Sequence, residues 1–240
     1  MSDKVIGGVG LTHLKVYDQR PGPDGVQAGC AHIHALTDEA YFGIAGEGAI
    51  ELHDIEKGFR KIAISKGTYV QFGPGILHRS VCTNSLEVVA LMGNAGLAER
   101  GDARIFFGAE VDADAREYER LNGLVANGLG GALERRDATT WVYQKLIALW
   151  ENDKAAYRSE LERFFNLHKA SIAEKAAQFL PAIKGGPVRS GEVALGRVAG
   201  LSQTRWSTGA DIAMAIVSSG EPTLGMCGLL RQVDNLTDLS

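Results

Sequence analysis

Three histidines and one glutamate have the residue types and the spacing of a metal site. His32 and His34 are separated by one residue, and residues two apart on an extended strand point to the same face. Glu39 follows five residues after His34, and the turn-prone segment between them predicts a bend that brings the carboxylate back toward the histidines. His78 comes just after a Gly-Pro-Gly turn that would start a new strand. The four side chains are therefore able to converge on one point.

This set of donors is suited to a transition metal. Neutral imidazoles together with a carboxylate suit iron, manganese, nickel, copper, cobalt or zinc. Such a set leaves coordination positions for water or a substrate, so the site is of the catalytic type rather than a closed structural one. We therefore predict one divalent metal ion, held by His32, His34, Glu39 and His78.

The elements that must position these residues are predicted to be short strands. Up to about residue 110, apolar runs alternate with glycine-rich turns, a pattern typical of an antiparallel sandwich or barrel. The predicted strands are 40–45, 49–55, 59–65, 68–72, 76–83 and 86–92. We expect residues 1–110 to form a β-barrel domain that carries the metal site.

From residue 111 onward the pattern is mainly helical, and the role of residues 111–240 is not indicated by it. The predicted helices are one capped by Asp112 or Asp114 and ending near residue 126, one from Asp137 to about residue 150, and one over 153–180 that Pro181 ends. His168 lies on the apolar stripe of the third helix, which favours a core or interface histidine over a functional one. The segments 211–217 and 223–233 fit either buried strands or helix.

Two stretches resemble the two motifs of the cupin superfamily. The stretch from Gly29 to Gly46 is similar to the first motif, which is H-x-H, three or four residues, E, six residues, G. Residues 67–78 are similar to the second motif, in which a glycine leads through P-x-G-x-x-H to the last ligand. Gly73 stands at the expected proline position, and Cys82 stands where an asparagine is often found.

The resemblance covers roughly residues 25–95 and implies a jelly-roll β-barrel with the metal in its mouth. The predicted fold class is therefore mainly β, a cupin-type jelly-roll barrel or sandwich followed by an α-helical C-terminal region. The resemblance also implies a homodimer, because cupins commonly pair through their sheets. It does not explain the helical half of the chain.

The function implied is that of a metal-dependent cupin enzyme acting on a small oxygen-rich organic substrate such as a diketone, enol, thiol acid or sugar. With iron the chemistry would be that of a dioxygenase. With manganese, nickel or zinc the metal would act as a Lewis acid in an isomerase or lyase. The alternative is a non-catalytic cupin protein that binds or senses a small molecule.

Three further residues are candidates for catalysis. Tyr41 shares the face of Glu39 on a regular strand, although simple core packing is an equal alternative. His53 would line the barrel or else lie exposed beside Glu51. Gln71 precedes the turn before His78, and its side chain could support the site from outside the ligand set.

Composition limits the partners. The formal charge of -4 and the pI near 5.9 argue against nucleic acid or an anionic membrane as a partner. The three cysteines are far apart and unpaired in spacing, which fits a reducing cytoplasm. We find no signal-peptide pattern and no apolar run long enough for a membrane span, so we expect a cytoplasmic protein with a small-molecule substrate.

Overall fold

The computed structural model describes residues 5–202, 213–217, 221–233 and 236–238. The first part of the chain is built from strands. They are β1 (Gly10–Val16), β2 (Gln27–Ala28), β3 (His32–His34), β4 (Glu39–Asp54), β5 (Gly58–Ser65), β6 (Tyr69–Phe72), β7 (Leu77–Met92) and β8 (Ala103–Ile105). Short 3₁₀ turns lie at Ile6–Gly8 and Ala98–Arg100.

Two long strands organise the sheet. The antiparallel partners of β4 are β5, β6 and β7, and β7 also pairs with β1, β2 and β3. The pairing of β4 with β7 shifts register between Gly43 and Gly48, which lets both strands bend around the barrel. Gly46 has a φ of 68°, and a Cβ there would lie 2.1 Å from the carbonyl oxygen of Ser85, so this bend requires glycine.

The interior of the barrel is filled by alternate residues of these strands. One buried cluster contains Leu14, Val16, Tyr41, Ile50, Leu52, Ile64, Val70, Phe72, Cys82, Leu86, Val88, Ala90 and Cys227. Val70 and Phe72 point inward from β6, whereas Tyr69 and Gln71 between and beside them are exposed. The strands predicted from apolar alternation are thus present, joined into longer strands than the turns had indicated.

Six α-helices follow within the described residues. They are α1 (Ala109–Ala113), α2 (Ala115–Asn122), α3 (Gly128–Asn152), α4 (Lys154–Ala173), α5 (Ala176–Ile183) and α6 (Arg189–Gly200). A 3₁₀ segment, Gly123–Asn127, precedes α3, and a π-helical turn, Lys184–Val188, joins α5 to α6.

The capping predictions hold in part. Asp114 caps α2 and Asp153 caps α4, each accepting hydrogen bonds from two backbone N–H groups. The predicted cap at Asp137 is wrong, because α3 begins nine residues earlier at Gly128 and Asp137 pairs with Arg136 instead. Pro181 does not end the helical region, since a wide π-helical turn follows it and the chain continues into α6.

Helices α3 and α4 cover the outer face of the strands that carry the histidines. Ile33 and Leu77 alternate with His34 and His78, so they point out of the barrel. They pack with helical side chains in a second buried cluster, whose other large members are Phe106, Tyr143, Leu146, Tyr157, Leu161 and Phe164. The helical region therefore encloses the histidine-bearing strands from behind.

The end of the chain returns to the sheet. Strands β10 (Thr223–Leu224) and β11 (Gly228–Gln232) extend it, with β11 antiparallel to β1. The short strands β9 (Ala213–Met214) and β12 (Thr237–Asp238) pair with each other. Residues 109–200 are mainly helical, as expected. The segment 223–232 joins the barrel instead, where β11 pairs with the backbone N–H and C=O groups along the open edge of β1. The predicted division into domains 1–110 and 111–240 stays a prediction, and residues 211–212 lie outside the described residues.

The predicted fold class, mainly β with antiparallel strands followed by an α-helical region, is confirmed. Among the residues described, no helix combines the length and the apolar character needed to cross a bilayer. The predicted homodimer and the cytoplasmic location stay predictions.

If α4 packs on the outer face of the barrel as described, truncating the buried aromatic side chain of Phe164 should destabilise the whole protein. We expect Phe164→Ala, which removes a fully buried side chain, to lower the free energy of unfolding by about 3–5 kcal/mol in urea titrations. Glu162→Ala, at an exposed position of the same helix, is the control and should change it little. An equally small effect of both substitutions would contradict the packing.

Candidate metal centre

The structure brings the four predicted ligands together. One ligand atom from each of His32, His34, Glu39 and His78 lies within 4.8 Å of all the others, and all four side chains are buried. The Oε2 atom of Glu39 is 3.1 Å from Nε2 of His78 and 3.5 Å from Nε2 of His34. The cluster is therefore compact enough for a single ion to contact every member.

Strand pairing sets this geometry. His32 of β3 lies directly opposite His78 of β7, and their ring centroids are 4.0 Å apart. The chain bends after His34, as expected, and Glu39 begins β4. The Gly-Pro-Gly turn before His78 is attached to the first strand, because the N–H of Gly75 donates to the carbonyl oxygen of His34 at 2.8 Å.

Two imidazoles are oriented by backbone carbonyls that lie just before their own strands. In each case Nδ1 lies at hydrogen-bond distance from the carbonyl oxygen two residues earlier. Nδ1 of His32 is 3.0 Å from the carbonyl oxygen of Cys30, and Nδ1 of His78 is 3.1 Å from that of Ile76. A hydrogen on Nδ1 donated to that oxygen leaves the lone pair of Nε2 facing the centre of the cluster. The backbone therefore selects the tautomer that a metal requires.

Asp102 orients the third imidazole and also holds the bend. Its Oδ2 is 3.1 Å from Nδ1 of His34, and its Oδ1 accepts a hydrogen bond from the N–H of Leu36 at 2.7 Å. The carboxylate is fully buried, and the carbonyl oxygen of the same residue lies 2.6 Å from Nε2 of His168 in α4. His168 is thus the buried core histidine that the apolar stripe predicted, and it supports Asp102 from behind.

The charges in the cluster are balanced against burial. Burial alone would raise the pKa of Glu39, but the charges of His78, His34 and His32 hold that pKa down, at about 2. Burial lowers the pKa of His32 to about 4, and the positive charges of His34 and Arg135 act in the same direction. Burial would also lower the pKa of His34, but the hydrogen bond to Asp102 raises it overall.

These residues fit a divalent metal. Glu39 Oε2 and His78 Nε2 are both buried and lie 3.1 Å apart, at ion-pair distance, but the contact lacks hydrogen-bond geometry and neither atom has another hydrogen-bond partner among the described residues. A buried carboxylate oxygen and a buried imidazole nitrogen without a hydrogen bond are costly, and a cation between them would satisfy both. The donor types are those of a borderline metal such as iron, manganese, nickel or zinc.

The cluster opens into a cavity of about 620 Å³. Its walls come from β1, the loop before Ala98–Arg100, and the returning strands β10 and β11. Most of the lining is apolar, including Leu11, Met92, Leu224, Met226 and Leu230. Such a cavity is of the size and character that binds small organic molecules.

Cys227 and Tyr41 complete one side of the cluster. The Sγ atom of Cys227 lies 3.7 Å from Nε2 of His32 and 3.4 Å from the hydroxyl of Tyr41. Burial raises the pKa of Tyr41 well above its usual value, so this candidate residue is a neutral phenol beside the centre. Cys227 gave no sequence signal, because it lies 195 residues after His32 and reaches it only through the return of the chain.

The other two candidates lie away from the cluster. Gln71 points outward from β6 and accepts a hydrogen bond from the hydroxyl of Tyr69, because residues of β6 alternate between the two faces. His53 faces the helices, with Nδ1 2.9 Å from the hydroxyl of Tyr157 and Nε2 3.0 Å from that of Tyr143. The structure therefore does not bring Gln71 or His53 to the metal site.

The described strands form a barrel with three histidines and one glutamate in its interior. No family model and no curated protein matches the sequence significantly. Solved structures do match parts of it. TDP-fucose-3,4-ketoisomerase from Campylobacter jejuni is 10% identical over 39% of this chain and 64% of its own, with a TM-score of 0.32.

Two further matches have the same character. Oxalate decarboxylase from Bacillus subtilis is 16% identical over 49% of this chain and 28% of its own, with a TM-score of 0.35. A protein with a double-stranded β-helix domain from Klebsiella pneumoniae is 20% identical over 40% of this chain and 71% of its own, with a TM-score of 0.28. The chain thus spans less than two thirds of the length of the ketoisomerase and of the decarboxylase.

Asp102 should matter for metal affinity although it is not a ligand. We expect Asp102→Asn, which removes the charge that faces His34, to weaken metal binding about 10–100-fold in competition with a chelator. Asp38→Asn is the control, since Asp38 is exposed beside Glu39. Unchanged affinity in the Asp102 variant would show that the contact with His34 does not tune the site.

His53 should make stability depend on pH. Burial lowers its pKa from 6.5 to about 3, so the unfolded chain binds a proton that the folded chain does not between those values. This contribution is fully present above pH 6.5 and is lost as the pH falls. We expect His53→Gln to reduce the slope of unfolding free energy between pH 4 and 6 by up to about 1.4 kcal/mol per pH unit. An unaltered slope would mean that His53 is not held neutral.

Proposed function

We propose that the protein is a metal-dependent enzyme that acts on a small oxygen-rich organic molecule. The ligands are His32, His34, Glu39 and His78, and the ion is divalent iron, manganese, nickel or zinc. The observation that carries the proposal is the pair of buried atoms at Glu39 and His78 without a hydrogen bond, of which Glu39 lines a cavity large enough for a substrate.

The oriented imidazoles support a catalytic rather than a structural role. Three of the four residues, His32, His34 and Glu39, line the cavity, so a molecule bound there would contact them directly. When bound, a divalent metal supplies Lewis-acid polarisation of a substrate oxygen or, in the case of iron, dioxygen chemistry. These two chemistries correspond to an isomerase or lyase and to a dioxygenase.

The remaining residues have roles that follow from their contacts. Apolar walls exclude water from the bound molecule, and the barrel strands hold the imidazoles rigid. Tyr41, as a neutral phenol, is able to donate a hydrogen bond within the site, although in this structure its hydroxyl lies beside Cys227. Asp102 keeps the hydrogen of His34 on Nδ1.

Metal content tests the proposal. Protein purified without added metal should carry about one iron, manganese, nickel or zinc ion per chain by elemental analysis, because three histidines and one carboxylate satisfy such an ion. His78→Ala should lose it. His13→Ala is the matched control and should retain it, since His13 lies outside the cluster and contacts Glu87.

Either of two results would contradict the proposal. The first is the absence of metal in the wild type, with none taken up on reconstitution. The second is equal metal content in the wild type and in His78→Ala. Oxygen-uptake assays follow if the metal is iron, and isomerase or lyase screens follow if it is manganese, nickel or zinc. A loaded protein that binds ligands reversibly and turns over none of them would favour the binding or sensor alternative.

A further inference from the structure

Among the described residues, Arg135 is the one buried arginine that has no carboxylate partner. In the part of the chain that the structure describes, three arginines are buried, namely Arg79, Arg135 and Arg136. Two of them have carboxylate partners, Arg79 with Asp24 at 2.8 Å and Arg136 with Asp137 at 2.7 Å. Arg135 forms no ion pair with any residue that the structure describes.

The partners that Arg135 does have are neutral. Its Nη2 donates to the carbonyl oxygen of Gly225 at 2.7 Å, and its guanidinium acts on the nearby phenol of Tyr17 and thiol of Cys30 through charge and hydrogen bonding. Its Nε is buried and has no hydrogen-bond partner among the described residues. Because arginine keeps its proton in proteins, this side chain is a permanent buried cation with an unused donor.

The guanidinium of Arg135 lies where it can contact a molecule in the cavity. Arg135 comes from α3, outside the cupin motifs, and lines the same cavity as His32, His34 and Glu39. The rest of the cavity wall is mostly apolar. In such surroundings a guanidinium pairs best with an anion that brings two oxygens in one plane, which is the geometry of a carboxylate.

We propose that Arg135 binds the carboxylate of the substrate, so that the substrate class is a small organic acid with an oxygen donor near the carboxylate and an apolar remainder. This rests on the proposed function for the metal end of the molecule. It narrows the substrate from oxygen-rich molecules in general to carboxylic acids, and it gives the helical region a part in recognition. The apolar walls accommodate the hydrocarbon portion of the acid.

Calorimetry with a matched pair of probes tests this assignment. The probes are 2-oxo-4-methylpentanoate and its amide, which share the same apolar tail and ketone, while the amide replaces the carboxylate with a neutral group. Cobalt(II)-loaded wild type should bind the acid about 10–100-fold more tightly than the amide, because the acid alone makes charge-assisted hydrogen bonds. The preference should persist in metal-free protein, where Arg135 is still present.

Substitutions of Arg135 distinguish a role in binding the carboxylate from a role in holding the cavity wall. Arg135→Met should bind the acid about 10–100-fold more weakly and the amide as before. Arg135→Lys should retain part of the preference, because it keeps the charge but not the planar fork. Arg100→Met is the control, since Arg100 lies exposed at the rim of the same cavity and should leave both affinities unchanged.

The outcomes distinguish this inference from the proposed function. Metal content, measured on every sample, decides whether the ion is held, whereas the ratio of acid to amide affinity decides the role of Arg135. Equal binding of acid and amide by the wild type overturns the inference, even if Arg135→Met fails to fold. So does an equal loss of both ligands in a folded Arg135→Met, which would assign Arg135 to the cavity wall through Gly225. Tighter binding of inorganic phosphate than of the acid would overturn the carboxylate class.

Discussion

Four polar side chains buried within 4.8 Å of one another are the constraint on which the structure depends. Three imidazoles and a carboxylate taken out of water lose their hydration, and only oriented partners or a cation restore it. The chain supplies the partners on the Nδ1 side of each imidazole, through two backbone carbonyls and the carboxylate of Asp102. The other side of each ring faces the common centre, where the unsatisfied atoms remain.

This arrangement requires strands that are covered on both faces. On β3, His32 and His34 point inward, and Ile33 between them packs outward against the helices. The same alternation on β7 places His78 in the site and Leu77 in the outer cluster. A solvent-exposed strand would leave the outer residues polar and the ligands mobile, whereas here α3 and α4 hold the strands in place. Asp102 joins the two layers, because it contacts both His34 and His168.

The cluster of three histidines and one glutamate was predictable because its sequence signal is local. The spacing of His32 and His34 follows from the period of a strand, and turns mark the positions of Glu39 and His78. The apolar stripe of α4 identified His168 as a core residue for the same reason. Helix boundaries were less predictable around Asp137 and Pro181, since a side chain that can cap or break a helix is tolerated where tertiary contacts or a wide turn compensate.

The residues that complete the site could not be predicted in this way. Asp102, Arg135 and Cys227 lie far along the chain from the ligands, and only the folding of the helices and the return of β11 bring them near. The position of His53 could not be predicted for a related reason. Its strand face depends on the register shifts in β4, which no local pattern reveals, and the outer face proved to be covered by Tyr143 and Tyr157.

X-ray absorption spectroscopy of the zinc-loaded protein tests the central claim most directly, because it counts the atoms that surround the ion. We predict three imidazole nitrogens and carboxylate oxygen at about 2.0–2.2 Å, with no sulfur. A sulfur scatterer at about 2.3 Å would instead identify Cys227 as a ligand, and fewer than three imidazoles would mean that the ion lies elsewhere. Either result would contradict a centre formed by His32, His34, Glu39 and His78.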